Sequence, residues 1–192
     1  MTAPLILASA SSYRQRLLQR LGLPFIAVEH LADETETAGL SLEAIPTELA
    51  ARKAESLRTA HPTAFILGSD QVVVASGQVL GKPGDLTGAR EQLRLLRNAT
   101  HELITGVALI EPDGVEHRRT VTTHMTLREL SDDEIDRYLE IDRPFDCCGS
   151  YKIEALGISL VKSIDGPDFT AIEGLPLIAV SELLRDVGFK IP

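Results

Sequence analysis

"HELITGVALIEPDGVEHRRTVTTHMTL", residues 101–127, decides the fold class. His101–Glu111 and His117–Leu127 alternate well enough for two long strands, and Pro112-Asp113-Gly114 between them is a hairpin signal. Strands joined by so short a turn pair antiparallel. Working outward, the other apolar runs are separated by helical patterns. Leu5–Ala8 and Phe25–Val28 read as strands on either side of a helix over Tyr13–Leu21, which Gly22 stops. Pro46 suits a first helical turn, and a helix over Thr47–Ala60 then leads to the apolar run Phe65–Leu67. Crossover units of this kind carry parallel strands. Crossovers combined with a long hairpin predict an α/β protein around a mixed, twisted sheet flanked by helices.

The remaining stretches fit that frame. "AFILGSDQVVVASGQVLGKPGD", residues 64–85, predicts a strand, a polar break, a second apolar run and a Gly/Pro-rich turn. Thr87–Leu96 is helical by pattern, and the acidic stretch Ala32–Leu40 reads as a loop. Ser131 should cap a helix to about Ile141, with Glu134 completing a capping box. A short strand over Ile158–Ser163 and a last helix over Pro176–Val187 follow. No repeat, linker or low-complexity segment interrupts the chain.

Bulk properties exclude several functions. At 192 residues the chain suits one domain, residues 1–192, or two closely joined lobes. Its net charge of −9 argues against binding a nucleic-acid polymer, which calls for a basic face. A local basic pocket for a small anion stays open. No apolar run approaches the roughly 20 residues of a membrane span, and Pro4–Ala8 is too short for a signal-peptide core. The two cysteines, Cys147 and Cys148, are adjacent and cannot form an ordinary unstrained bridge. A reduced, cytoplasmic setting with no membrane is expected. Neither this pair nor His124 calls for catalysis; packing or simple exposure explains them.

Four places call for chemistry. In "LILASASSYRQRLL", residues 5–18, Ser9 and Ser11 lie between a strand end and a helix start. Backbone N–H groups and the helix dipole favour an anion there, and Arg14 in the first turn could reach the same anion. A well-capped helix with solvated arginines is the bland alternative. In "ELAARKAESL", Leu49, Lys53 and Leu57 share one helical face, so Lys53 sits within an apolar stripe. It either snorkels from the core edge or reaches into a cleft for phosphate.

Asp70 closes the apolar run Phe65–Leu67 after Gly68-Ser69, a carboxylate at the carboxyl end of a strand, where open α/β sheets commonly bind ligands. A turn aspartate bonding its own backbone is the bland alternative. Lys82, in the turn Gly81-Lys82-Pro83, could face Asp70, and Glu34 offers a second carboxylate. Carboxylates, lysines, an arginine and a serine loop suit a divalent metal with a polyphosphate. In "CCGSYKIEALG", Ser150, Lys152 and Glu154 alternate at strand spacing between Gly149 and Gly157. They form either an exposed edge strand or a pocket wall, with Lys152 for phosphate and Glu154 for a base edge.

These stretches, in this order, resemble the Maf family of nucleotide pyrophosphatases over nearly the whole chain, ending with "GLPLIAVSELL". The resemblance implies a Maf/ITPase-like fold with a cleft between two lobes. It also implies hydrolysis of a nucleoside triphosphate to the monophosphate and pyrophosphate with Mg2+ or Mn2+. The family's catalytic acid falls on Asp70, its phosphate loop on Ser9, Ser11 and Arg14, and its other acid and lysines on Glu34, Lys53 and Lys82. Asp70 and Glu34 are thereby the expected metal ligands.

Members acting on dTTP and UTP tend to read G-A-D-T at the catalytic strand, whereas this chain reads Gly68-Ser69-Asp70-Gln71, followed later by Gly149-Ser150-Tyr151-Lys152-Ile153-Glu154. That is similar to the branch acting on 7-methyl-GTP, whose selectivity positions fall on Tyr13, Gln71 and Glu154. N7-methylation makes guanine cationic, so the face of Tyr13 would add roughly 0.5–2 kcal/mol of cation–π attraction. Glu154 could accept from the base's N1–H and N2 amino group, which thymine cannot match. Ser12 stands where the family often has proline, losing a preset φ but keeping an N-cap residue. The rival expectations are a dTTP/UTP pyrophosphatase of the same family and a non-catalytic nucleotide-binding regulator of septum formation. The chain is compatible with a monomer or a homodimer.

Overall fold

A computed structural model describes residues 3–35 and 37–192. Glu36, within the expected acidic loop, lies outside the described residues. Among the described residues, seven strands and five α-helices follow one another as β1 (Leu5–Ala8), α1 (Ser12–Gln19), β2 (Ile26–Val28), α2 (Ile45–Glu55), β3 (Phe65–Ala75), β4 (Gln78–Leu80), α3 (Leu86–Leu96), β5 (Thr100–Ile110), β6 (Glu116–Leu127), α4 (Asp132–Asp142), β7 (Val161–Asp165) and α5 (Leu177–Asp186). The strands order as β2-β1-β3-β5-β6-β7, with β4 paired to β3. β1 pairs parallel with β2 and with β3, whereas β3–β4 and β6–β7 are antiparallel. The mixed sheet of an α/β protein is therefore present.

The chain gathers into two compact units. The first holds residues up to Gln71, Thr105–Val121 and Asp168–Pro192; the second holds Val72–Ile104 and Thr122–Pro167. In the first, Leu5 and Leu7 of β1, Leu67 of β3, and Val107 and Leu109 of β5 pack with Leu17 and Leu18 of α1 and Val180, Leu183 and Leu184 of α5. Ile6, Ile66 and Ile110 pack instead with Ala54 and Leu57. Alternate strand residues thus face opposite helical layers, as the period of two requires. In the second unit, the Ser131 hydroxyl and Glu134 form the expected capping box at the start of α4.

Four expectations need correction. The polar break at Gly68–Gln71 does not interrupt the sheet: β3 runs unbroken from Phe65 to Ala75, and Asp70 lies mid-strand rather than at a strand end. The buried polar side chains there are satisfied by partners outside their own strand, so the extended backbone continues. Ser150, Lys152 and Glu154 do not alternate along a strand. Cys148–Ser150 and Leu156–Leu160 form short 3₁₀ turns, and positive φ at both Gly149 and Ser150 breaks any extended run. The last strand accordingly starts at Val161 rather than Ile158. At the start of α1 the cap is Ser11, whose hydroxyl accepts from Arg14 N, and Ser12 is the first helical residue.

Candidate active site

Two glycines place α2 on the sheet. A Cβ at Gly68 of β3 would lie 2.0 Å from the Ala50 carbonyl oxygen, and one at Gly106 of β5 would lie 2.3 Å from Thr47 N. Neither side chain fits, so helix backbone rests on bare strand. Ala50 and Ala51 of α2 pack with Ala108 at the same contact, small residues that keep the approach close. Lys53, one turn beyond Leu49 on the same face, is thereby carried into the interior and left 3% exposed.

The buried ammonium meets two carboxylates. Lys53 Nζ donates to Asp70 Oδ1 at 2.5 Å and lies 3.2 Å from Glu34 Oε1. Asp70 is itself buried, while Glu34 is half-exposed on its loop. His30 Nε2 lies 3.0 Å from that same Glu34 oxygen. Burial, with the Lys53 ammonium next, lowers the His30 pKa; Glu34 and Asp70 oppose the shift and the Arg14 charge adds to it. The imidazole is therefore neutral at pH 7, and donation to Glu34 puts its proton on Nε2, leaving Nδ1 bare, buried and without a hydrogen-bond partner. Sequence reasoning did not single out His30. Its spacing of four from Glu34 was the available signal, but outside a helix that spacing carries no periodicity.

The serine loop and Arg14 belong to the same unit. Ser9 is buried and its hydroxyl accepts from Ser11 N at 3.2 Å; Ser11 Oγ accepts from Arg14 N at 3.4 Å. Arg14 Nε donates to the Gly174 carbonyl at 2.9 Å. The half-buried Tyr13 carries the Arg16 guanidinium 5.0 Å from its ring centroid. Gln71 Nε2 donates to Thr105 Oγ1 at 2.8 Å and to Ala171 O at 2.6 Å. Its amide donors are spent on these bonds, so Oε1 is the group it can offer a ligand as acceptor. Behind them Asp168, 2% exposed, accepts from Thr170 N and Oγ1 and from Ile178 N, which pins the segment ahead of α5.

Three expected site residues lie in the second unit. Lys82 is exposed in the 81–84 loop. Lys152 Nζ turns onto the Asp142 carbonyl at 3.4 Å and the Asp146 carboxylate at 3.5 Å. Glu154 is exposed in the turn before Leu156. Burial, then the neighbouring Asp146 carboxylate, pushes the Cys147 thiol up to about 12, so it stays protonated and unreactive at neutral pH.

Among the described residues, no group of three or more His, Cys, Asp or Glu could hold a metal by itself. Asp70 and Glu34 nevertheless converge on a single ammonium. A pair of hard-oxygen donors already directed at one cation fits a divalent ion that takes its other ligands from phosphate and water. No helix among the described residues is long and apolar enough to cross a membrane.

An interior cation shared by two carboxylates, beside a capped helix start with an arginine in its first turn, defines a polar site suited to an anionic ligand with a cation. The fold is similar to that of the Ham1 protein of Staphylococcus aureus, with a TM-score of 0.55 at 12% identity over 96% of this chain and 99% of that one. Residues 4–187 match the Maf-like protein family, and the chain belongs to it. It is 44% identical over 189 residues to the 7-methyl-GTP pyrophosphatase of Aromatoleum aromaticum, covering 98% of this chain and 97% of that protein. Over 192 residues it is 43% identical to the 7-methyl-GTP pyrophosphatase of Ralstonia nicotianae, covering 100% of this chain and 99% of that protein.

Proposed function

We propose that the protein is a nucleoside triphosphate pyrophosphatase that hydrolyses 7-methyl-GTP to 7-methyl-GMP and pyrophosphate in the cytoplasm. The observation that carries the reading is the convergence of Asp70 and Glu34 on the buried Lys53 in a Maf-family chain. The names and the full-length likeness of its relatives support the substrate.

Asp70 orients a water molecule and takes its proton as the water oxygen bonds to the α-phosphorus. The bond from the α-phosphorus to the bridging oxygen then breaks, and pyrophosphate leaves with that oxygen. Lys53 holds Asp70 through Oδ1 and so fixes the direction of the other carboxylate oxygen. Arg14, presented from the first turn of α1 beside the Ser9–Ser11 loop, binds phosphate oxygens, and the motif Gly81-Lys82-Pro83 assigns Lys82 the same role. A divalent cation, held by Asp70 and Glu34, would neutralise charge on the phosphate oxygens when bound. His30, whose Nε2 lies 3.0 Å from Glu34 Oε1, helps to hold that carboxylate in place.

Selectivity is assigned to Tyr13, Gln71 and Glu154. Stacking on Tyr13 favours a cationic base, and a carboxylate at Glu154 accepts from the guanine edge. Pyrophosphate release from 7-methyl-GTP, GTP, dTTP and UTP, measured side by side with Mg2+ and with Mn2+, tests the reading. Turnover confined to 7-methyl-GTP is the expected result. Preference for dTTP or UTP would keep the mechanism and overturn the base assignment; no release from any nucleotide would overturn the enzyme itself.

A further inference from the structure

Ser69 stands directly before Asp70, is 0% exposed, and has no part in the chemistry above. A buried hydroxyl without an acceptor is costly, and this one has two within reach: Gly174 O at 2.8 Å and Gly106 O at 3.1 Å. The nearer acceptor is the very oxygen that receives Arg14 Nε at 2.9 Å. A carbonyl oxygen has two lone pairs, and here one takes the serine and the other the arginine. Gly174 itself lies at φ +94, and a Cβ on it would come within 3.4 Å of Arg14 Nε and 3.5 Å of Nη2. The guanidinium thus lies on bare backbone at a left-handed position that glycine tolerates best.

We propose that Ser69 is a positioning residue for Arg14. Its hydroxyl fixes the Gly174 carbonyl, and that carbonyl fixes the plane of the guanidinium through Nε, which sets where the Nη donors point. Successive strand residues face opposite sides. Asp70 accordingly meets Lys53 of α2, while Ser69 and Gln71 both reach the 171–174 segment, Gln71 through Ala171 O. One strand therefore serves the acid on one face and the phosphate arginine on the other. The inference rests on the phosphate-binding reading of Arg14.

A double-mutant cycle on the full-length protein tests it, with kcat and KM for 7-methyl-GTP and GTP measured for Ser69→Ala, Arg14→Gln and the pair. Arg14→Gln is expected to lower kcat/KM by about 10²-fold or more. Ser69→Ala should lower it by about fivefold to tenfold with the 7-methyl-GTP to GTP ratio unchanged, the effect of one lost neutral hydrogen bond. Added to Arg14→Gln, Ser69→Ala should change kcat/KM by less than about twofold, since coupled residues are not additive. An equal loss from Ser69→Ala in both backgrounds would overturn the relay while leaving Arg14 as a phosphate ligand. Full turnover in Arg14→Gln would overturn the phosphate reading and the relay with it. If Ser69→Ala folds poorly, Ser69→Cys, of similar size and with a weaker donor, takes its place in the same cycle.

Discussion

Lys53 Nζ stands 2.5 Å from Asp70 Oδ1, and Gly68 and Gly106 set that distance by letting α2 lie directly on β3 and β5. A helix packed on a sheet through ordinary side chains would hold the lysine farther out, where water would compete for the ammonium. Here the backbone contact carries a charge to 3% exposure beside its carboxylate. The proposed chemistry thus depends on residues that have no functional groups.

Gly68→Ala should be destabilising out of proportion to one methyl group. The new carbon would lie 2.0 Å from the Ala50 carbonyl oxygen, which is backbone and cannot rotate away. Overpacking costs about 1–3 kcal/mol, occasionally more, and this backbone clash belongs at the upper end. Denaturant melts read the loss directly. A change below about 0.5 kcal/mol, the level of a surface substitution, would mean that α2 does not rest on the strand.

Asp70→Asn should lower kcat by at least about 10²-fold while the protein stays folded, because Lys53 retains Glu34 as a counter-charge. Lys53→Met is expected to be worse for stability. Removing one member of a buried pair leaves an uncompensated charge and costs about 3–5 kcal/mol in general, and Asp70 here is buried. Combining Asp70→Asn with Lys53→Met should recover part of that stability but none of the activity. Urea titrations and pyrophosphate release on the three variants separate the two effects.

The strand–helix order, the hairpin at 112–114 and the Ser131–Glu134 capping box were legible because each is a local signal. Motifs in order along the chain also named Asp70, Glu34 and Lys53, and those three side chains do meet. What could not be read is what depends on partners distant in sequence. Asp70 reads as a strand end because Gly-Ser-Asp-Gln looks like a turn, yet the strand continues since Gly174 O, Lys53 and Thr105 satisfy those side chains. The 148–154 stretch alternates like a strand, and only the left-handed φ of Gly149 and Ser150 shows that it is not one. His30 was invisible because its link to Glu34 follows the path of a loop.

Glu154→Gln should change which base is accepted rather than how fast phosphorus is attacked. An amide can still accept once, but it loses the charge that opposes a cationic base and presents an N–H where the guanine edge also donates. The ratio of kcat/KM for 7-methyl-GTP over GTP is expected to fall by about tenfold or more, the scale of one mismatched polar contact. Because Glu154 is exposed in its turn, melting behaviour should stay within about 0.5 kcal/mol of the parent. An unchanged ratio would remove Glu154 from base selection.

In the second unit, His101 Nε2 lies 2.8 Å from the hydroxyl of Tyr151, and both side chains are buried. Burial lowers the His101 pKa from 6.5 to about 4. Unfolding exposes the imidazole, so between those two values the unfolded chain binds the extra proton and the folded one does not. The contribution of the neutral ring is complete above about pH 6.5, the unfolded value, and is lost as pH falls towards the folded value of about 4. At 1.36 kcal/mol per pKa unit, the loss over that interval approaches about 3 kcal/mol. His101→Gln keeps a side chain able to bond the Tyr151 hydroxyl but does not titrate. Urea melts at pH 4, 5, 6 and 7 should therefore show a stability slope in the parent that is clearly shallower in His101→Gln. Identical slopes would assign the acid sensitivity to carboxylates elsewhere and leave His101 as packing alone.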